Sequence, residues 1–396
     1  MTATEQPAAQ RPEPAAGGRR FALPPWWEKA LFPIIIGVGA AFPFFFDSGG
    51  TVMGTAVLAL AYTVMALGLN IIVGFAGLLD LGFVAFFAIG AYVMGWFGSL
   101  FFATINGEKG IHILVTGRAA ELPGIHMNFL LILVAAVIFT TIAGMLIGLP
   151  TLRLRGDYIA IVTLAFGEII GRVAINGDEL KLFGQPLTAG RQGITPVDKI
   201  DLPFLEPFKS LNLTPWFYVA LAMVAFALFV NLRLRESRLG RAWIALREDE
   251  VAAVSMGVPA VRTKLLAYGT GAAFGGMAGA FLGSYNNTVN SDQFQFFFSI
   301  LILGMVILGG LGSIWGVVLG AIVLTTINFY LIPDVFNTIP GRVGLDFDTT
   351  QITFAIYGFL LVIMMIMRPE GLIPERRRKQ ELHEAEETDS VIAARA

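Results

Sequence analysis

The sequence predicts an all-α integral membrane protein, a polytopic bundle of about ten transmembrane helices with both termini on the cytoplasmic side. Three observations carry that expectation. Mean hydropathy is +0.72, with 56% of the 396 residues hydrophobic and only 14% charged, whereas a soluble domain is about one quarter charged. Apolar runs of roughly 16 to 23 residues recur along the chain, each about long enough to cross a hydrocarbon layer of roughly 30 Å as a helix. Those runs are apolar throughout and lack the alternation that a membrane β-barrel needs.

Taken in chain order, the opening MTATEQPAAQRPEPAAGGRRFALPP is rich in Pro and Ala and holds no apolar core of signal-peptide length ahead of Arg19 and Arg20. Residues 1–28 are expected to form a disordered cytoplasmic tail. Trp26 and Trp27 stand where the first span begins, the place of an interfacial aromatic anchor. Residues 29–374 are expected as one transmembrane domain, with spans at 31–46, 51–73, 83–103, 127–149, 157–176, 214–232, 264–285, 295–311, 315–332 and 350–367. The eighth and ninth abut at Gly309 to Ser313 and are also readable as one broken segment, and Leu78 to Ile89 is readable as re-entrant. Residues 375–396 form a charged tail of mixed sign, also expected to be disordered.

Orientation follows from the basic residues. With the amino terminus inside, 19 of the 27 Lys and Arg fall in cytoplasmic segments, among them Arg153, Arg155, the group from Arg233 to Lys264, and Arg376 to Lys379. Seven fall in outer segments and one, Arg172, within a span. There is no cysteine, which removes disulfides, thiolate metal sites and a Cys nucleophile. The spans hold no paired carboxylates and no HExxH pattern, which disfavours a membrane-embedded enzyme. His112 and His126 lie in an outer loop without metal-ligand spacing and read as surface residues.

The longest cytoplasmic loop, at about 233–262, contains GRAWIALREDEVAAVSMGVP, Gly240 to Pro259, a concentration of charge in a charge-poor chain. Asp249 is a candidate N-cap, Glu250 to Met256 a helix of about two turns, Gly257 a left-handed terminator and Pro259 a stop. Glu248, Asp249 and Glu250 sit at the positive end of that helix dipole. A two-turn helix is marginal alone, so something must hold it. Val251, Val254 and Val258 give it an apolar face, with Arg247 and the acids supplying polar contacts. From pattern alone two readings are open: an ordinary solvated loop, or a helix that docks in a groove of a cytoplasmic partner.

GRAWIALREDEVAAVSMGV resembles the cytoplasmic coupling loop of LivM-type permeases, the membrane subunits of ATP-binding-cassette importers for branched-chain amino acids. The resemblance extends in order through LGLNIIVGFAGLLDLGFVAFFAIGAY (Leu67 to Tyr92), GLPTLRLRGDYIAIVTLAFGEII (Gly148 to Ile170), KLLAYGTGAAFGGMAGAF (Lys264 to Phe281), MVILGGLGSIWGVVLGA (Met305 to Ala321) and MRPEGLIP (Met367 to Pro374). It implies a transport subunit of a bacterial inner membrane, coupled through Arg247, Glu248, Asp249, Glu250 and Gly257 to separate cytoplasmic ATPase subunits. It also implies a second homologous permease subunit, a periplasmic substrate-binding protein and a branched-chain amino acid as cargo. The chain has no G-x-x-x-x-G-K-[ST] phosphate loop, so it lacks the usual nucleotide cradle. No cofactor in this chain and no nucleic-acid partner are expected, ATP being hydrolysed by the partner subunits.

Gly271, Gly275, Gly279 and Gly283 recur every fourth residue in the seventh span, and Gly312, Gly316 and Gly320 repeat the device in the ninth, the spacing of close helix packing in lipid. Ionisable groups within spans are candidates for the pathway because a charge in hydrocarbon is costly. Glu168 and Arg172 stand four apart and either neutralise one another or face the pathway or the partner permease. Asp80, without an obvious mate, departs from the small or apolar residue that the resemblance implies, and either meets solvent at the inner interface or lines the cavity. Asn70 places an amide in an apolar helix, where bonding to another helix is favoured over contact with substrate. The outer loop at about 177–213 is charged enough to be the landing surface of a soluble donor. Its LTAGRQGI, Leu187 to Ile194, departs from the short Gly-Gly-Pro-Asn-Gly-Ile turn of the family, which puts substrate or donor identity in doubt. Alternatives to the amino acid importer are a related importer of urea, short amides or other amino acids, and a proton- or sodium-coupled transporter using Asp80 or Glu168.

Overall fold

The computed structural model describes residues 25–104, 109–115, 121–152, 154, 156–182, 184–201, 207–209, 211–337, 353–368 and 370–373. The tails expected at 1–28 and 375–396 lie outside the described residues, except that 25–28 already belong to the first helix. That helix, α1 (Pro25–Ala41), starts earlier than its apolar run because Pro25 supplies the fixed φ suited to a first turn. The side chains of Trp26 and Trp27 are outside the described residues.

The bundle continues with α2 (Thr51–Asn70), prolonged by a π turn (Ile71–Phe75), then α3 (Val84–Phe97), α4 (Phe129–Thr151), α5 (Asp157–Asn176) and α6 (Thr214–Glu236). Two short helices follow, α7 (Arg238–Glu248) and α8 (Glu250–Ser255). The chain then runs through α9 (Ala260–Tyr285), α10 (Phe296–Gly309), α11 (Ile314–Thr326) with a π extension (Ile327–Phe336), and α12 (Thr353–Met367). Among the described residues six helices are long and apolar enough to cross a membrane, and four shorter apolar helices accompany them.

Burial sorts these helices into layers. α9 and the α2 span are each 78% buried within the chain, whereas α4 is 22% and α5 28% buried. α9 is the central strut, and its glycines explain why. A Cβ on Gly271 would meet Ile72 of the π turn and the Gly68 carbonyl of α2; on Gly275, Phe86 of α3; on Gly279, the Phe87 carbonyl of α3; on Gly283, Val289 and Met94. Gly276 faces Thr140 of α4, and Gly90 of α3 faces the Gly276 backbone. Removing the side chains lets three neighbours approach α9 backbone to backbone, where dispersion and packing substitute for a hydrophobic drive that lipid does not supply.

The eighth and ninth spans are two helices, not one broken segment. α10 and α11 fold back on each other: a Cβ on Gly316 would meet the Gly309 carbonyl and one on Gly320 the Met305 carbonyl. Gly312 packs differently, its backbone lying close against Gly74 of the π turn instead of between α10 and α11. It lies in the turn ahead of α11 at φ +84°, a backbone that favours glycine, so the expected periodicity of Gly312, Gly316 and Gly320 is coincidental at its first member. The third span is shorter than its apolar run, because Gly98–Ser99 leave the helix as β1 and pair antiparallel with β3 (Ile125–Met127), which pairs in parallel with β2 (Ile111–Ile113). This small sheet closes the end of the bundle where α3 and α9 finish and α4 begins. Residues 76–83 form a non-helical connection between the π turn and α3.

The candidate coupling loop and membrane pathway

The charged loop is more ordered than its composition suggests. α7 is amphipathic: Ser237 accepts a hydrogen bond from the Gly240 N–H at its start, and Gly240, Trp243 and Leu246 turn inward. Trp243 Nε1 donates to the Thr263 carbonyl at 2.7 Å, pinning α7 to the first turn of α9. The Leu239, Trp243, Leu246 spacing is the sequence signal of this helix, masked by Gly240 and by the five charges from Glu236 to Glu248.

α8 forms where expected. Asp249 caps it, its carboxylate accepting from the N–H groups of Val251 at 2.8 Å and Ala252 at 2.9 Å. Gly257 at φ +89° ends it. The charged residues then do something other than face outward. Glu250 Oε1 accepts from Lys264 Nζ at 2.7 Å, with Lys264 almost wholly buried at the start of α9. Arg247 donates to the carbonyl of Gly74 in the π turn after α2. Three of the five expected coupling residues thus hold the helix in place. Exposed beside the acids and Ser255 is an apolar patch of Val251, Val254 and Met256, the last 86% exposed, next to a Gly257 with open space beside it.

The grip of Arg247 continues into the bundle. Asn70 is fully buried at the end of α2, and its Oδ1 accepts from the Gly312 N–H at 2.9 Å, so the loop, the π turn and the α10–α11 turn are bonded in series. The carboxyl-terminal block joins them: Leu372 N–H donates to the Leu308 carbonyl at 2.9 Å and Ile373 N–H to that of Gly309 at 3.1 Å. Asp80, in the connection that follows the π turn, is 2% exposed, with Oδ1 accepting from the Gly82 N–H at 2.8 Å and Oδ2 without a partner among the described residues. It meets no solvent, and the connection it belongs to is clasped to α5 by the Leu81 N–H bond to Thr163 Oγ1.

Glu168 and Arg172 are placed differently. Both are exposed, and among the described residues they form no ion pair with each other. They line an open depression of about 410 Å³ with Ile169, Val173, Asn176, Glu179 and Leu180. Of the two readings open for the pair, direct neutralisation along the helix is not the arrangement seen among the described residues.

At the other end of the molecule His126 corrects a second expectation, for it is fully buried. Its Nδ1 lies 2.6 Å from Asp198 Oδ2, and its ring stacks on His112 with centroids 5.7 Å apart. Burial opposes its charge, but the Asp198 carboxylate and the Pro123 carbonyl outweigh that and raise its pKa above the ordinary histidine value. Ser284 Oγ donates to the Asp198 carbonyl at 2.7 Å, so the clasp also fixes the far end of α9. Only register in the folded sheet, which sets His112 opposite His126, brings these residues together.

A glycine-packed helical core, wrapped by apolar helices and carrying a capped helix held rigidly at one end, defines a multi-pass membrane protein of the transport class. The chain belongs to the family described as branched-chain amino acid transport system / permease component, which matches residues 51–366. The high-affinity branched-chain amino acid transport system permease protein LivM of Escherichia coli (strain K12) is 34% identical over 95% of this chain and 83% of its own length. The probable branched-chain amino acid transport permease protein LivM of Methanocaldococcus jannaschii is 27% identical over 80% of this chain and 91% of that protein. The permease protein LivH of the same E. coli system is 26% identical over 43% of this chain and 49% of that protein. No solved structure matches the chain.

Proposed function

We propose that this protein is the permease subunit of an ATP-binding-cassette importer that carries leucine, isoleucine and valine into the cytoplasm by alternating access. Its ten apolar segments cross a bacterial inner membrane with both termini inside, residues 29–374 forming the permease domain. It pairs with a second, homologous permease subunit, a pairing that the partial likeness to LivH supports. A periplasmic donor protein lands on the outer loop at about 177–213, and ATPase subunits bind the cytoplasmic loop at about 233–262.

The observation that carries the coupling role is the division of labour in that loop. Arg247 and Glu250 tie the loop to the bundle and Asp249 caps α8, while Val251, Val254 and Met256 stand free for a partner's apolar groove. Force applied to α8 passes through Lys264 into α9 and through Gly74 into α2, the two most buried helices. Affinity purification from native membranes in mild detergent, followed by an ATP hydrolysis assay, tests this. An ATPase should co-purify and respond to a leucine-loaded donor. Val254→Asp should reduce the ATPase recovered by about tenfold, an apolar anchor being worth about 1 to 2 kcal/mol, with membrane abundance unchanged. Unchanged recovery would remove the loop from the coupling role.

A further inference from the structure

The depression on α5 has a chemistry that its neighbours lack. The exposed residues of α5 are not scattered: Ile161, Ala165, Glu168, Arg172 and Asn176 follow one another at three- or four-residue steps, so they form one stripe along the helix. Its inner part is apolar, and its outer part carries Glu168, Arg172 and Asn176, with Glu179 at the rim. Two separated charges facing hydrocarbon would be costly, so this part of the stripe faces water or protein.

Within the depression the groups fall in two parallel rows. Glu168 and Arg172 form one, a single turn apart with about 5 to 6 Å between their Cβ atoms. Ile169 and Val173 form the other, and Leu180 closes the apolar side. Neither charge is bonded to the other, and the Arg172 carbonyl is already occupied by Asn176 Nδ2 at 3.2 Å, so the side chains are what the site offers. An α-amino acid with a branched aliphatic side chain matches this layout. Its carboxylate suits a guanidinium fork, its ammonium suits a carboxylate, and its side chain needs an apolar wall.

We infer that the α5 depression is a weak subsite for the zwitterion of a branched-chain amino acid at the outer mouth of the pathway, with Arg172 taking the carboxylate, Glu168 the ammonium, and Ile169, Val173 and Leu180 the side chain. This rests on the transport reading given above and names where the cargo first meets this chain.

Saturation-transfer NMR of leucine on the donor-free importer complex in nanodiscs tests the subsite. The wild-type complex should transfer saturation to the leucine methyl groups. Glu168→Gln and Arg172→Met should each weaken binding about tenfold or more, the scale of a lost charge-assisted hydrogen bond, whereas Arg172→Lys should retain part of it. Leucinamide and 4-methylpentanoate, each lacking one charge, should compete poorly with leucine on the wild type. Co-elution of all subunits with each variant on size exclusion reports that the complex is intact. Absence of a leucine signal from wild type, or equal signals from wild type and both variants, overturns the subsite. So does loss of the second permease subunit from Arg172→Met, which would assign the charges to the subunit interface. Uptake of radiolabelled leucine by cells carrying the wild-type importer separates the two levels: no uptake overturns the transport reading and the subsite together, whereas uptake with variant-independent NMR overturns the subsite alone.

Discussion

α4 and α5 are consecutive, of similar length and similarly exposed, yet they present opposite surfaces. The outward residues of α4 are Leu130, Leu131, Val134, Ile138, Phe139, Ile142, Leu146 and Leu149, without a polar side chain among them beyond the half-buried Thr141, whose hydroxyl donates back to the Val137 carbonyl of its own helix. The outward stripe of α5 mixes Ile161 and Ile169 with Glu168, Arg172 and Asn176. Exposure in the isolated chain does not distinguish lipid from water; the chemistry of what is exposed does. The inward faces differ too. α4 meets α9 through Thr140 against Gly276 and through Gly144 against Ala272, whereas α5 meets the 76–83 connection through Thr163 and Gly167 against Gly82.

The largest test of that contrast is on the inward side. Gly276→Leu forces side-chain atoms into the buried Thr140 side chain, and overpacking at so close a helix contact should cost about 3 kcal/mol or more. Size-exclusion profiles in detergent should show loss of folded protein. Gly167→Ala, whose Cβ would stand 3.1 Å from the Gly82 Cα, should lower the melting temperature without abolishing the folded peak. Equal losses would mean that α5 is as firmly seated as α4.

A smaller effect is expected on the outward side. Ile138→Arg on α4 should raise the cost of membrane insertion by about 2.5 to 3.5 kcal/mol, read as a fall in membrane abundance. Arg172→Ile on α5 should change abundance by no more than about 0.5 kcal/mol equivalent. A large rise in abundance from Arg172→Ile would place that stripe against lipid and erase the distinction.

The smallest test concerns the tie between the two helices. His126 precedes α4 and Asp198 follows α5, so their pair links the start of the one to the end of the other. The folded pKa of His126 is raised above its ordinary 6.5. Its contribution is therefore fully present below about 6.5 and lost as pH rises through the elevated value. Thermal unfolding of wild type and Asp198→Asn should differ by about 1 kcal/mol at pH 5.5 and converge toward pH 9. A difference independent of pH would show that the clasp acts through shape and not charge.

The sequence made the long elements legible because each is a continuous apolar run, and the cap, length and terminator of α8 because Asp249, Gly257 and Pro259 have fixed backbone consequences. It did not show which partner each polar group takes. Glu250 is 14 residues from Lys264 and Asn70 is 242 residues from Gly312; only the fold sets those distances. For the same reason the letters do not separate a capping or anchoring carboxylate from a docking one. Gly312 misled in the opposite direction, a turn glycine falling by chance on a helical spacing.

The backbone bonds from residues 372 and 373 to the carbonyls of Leu308 and Gly309 have a consequence for the order in which the molecule is made. The α10–α11 turn, and through it the Asn70 bond at the end of α2, is completed by residues translated more than 60 positions later. A ribosome that stalls after α11 releases a chain whose helices have entered the membrane but whose turn still lacks its last two donors. Such a chain would carry its defect at the end of the bundle that bears α7 and α8.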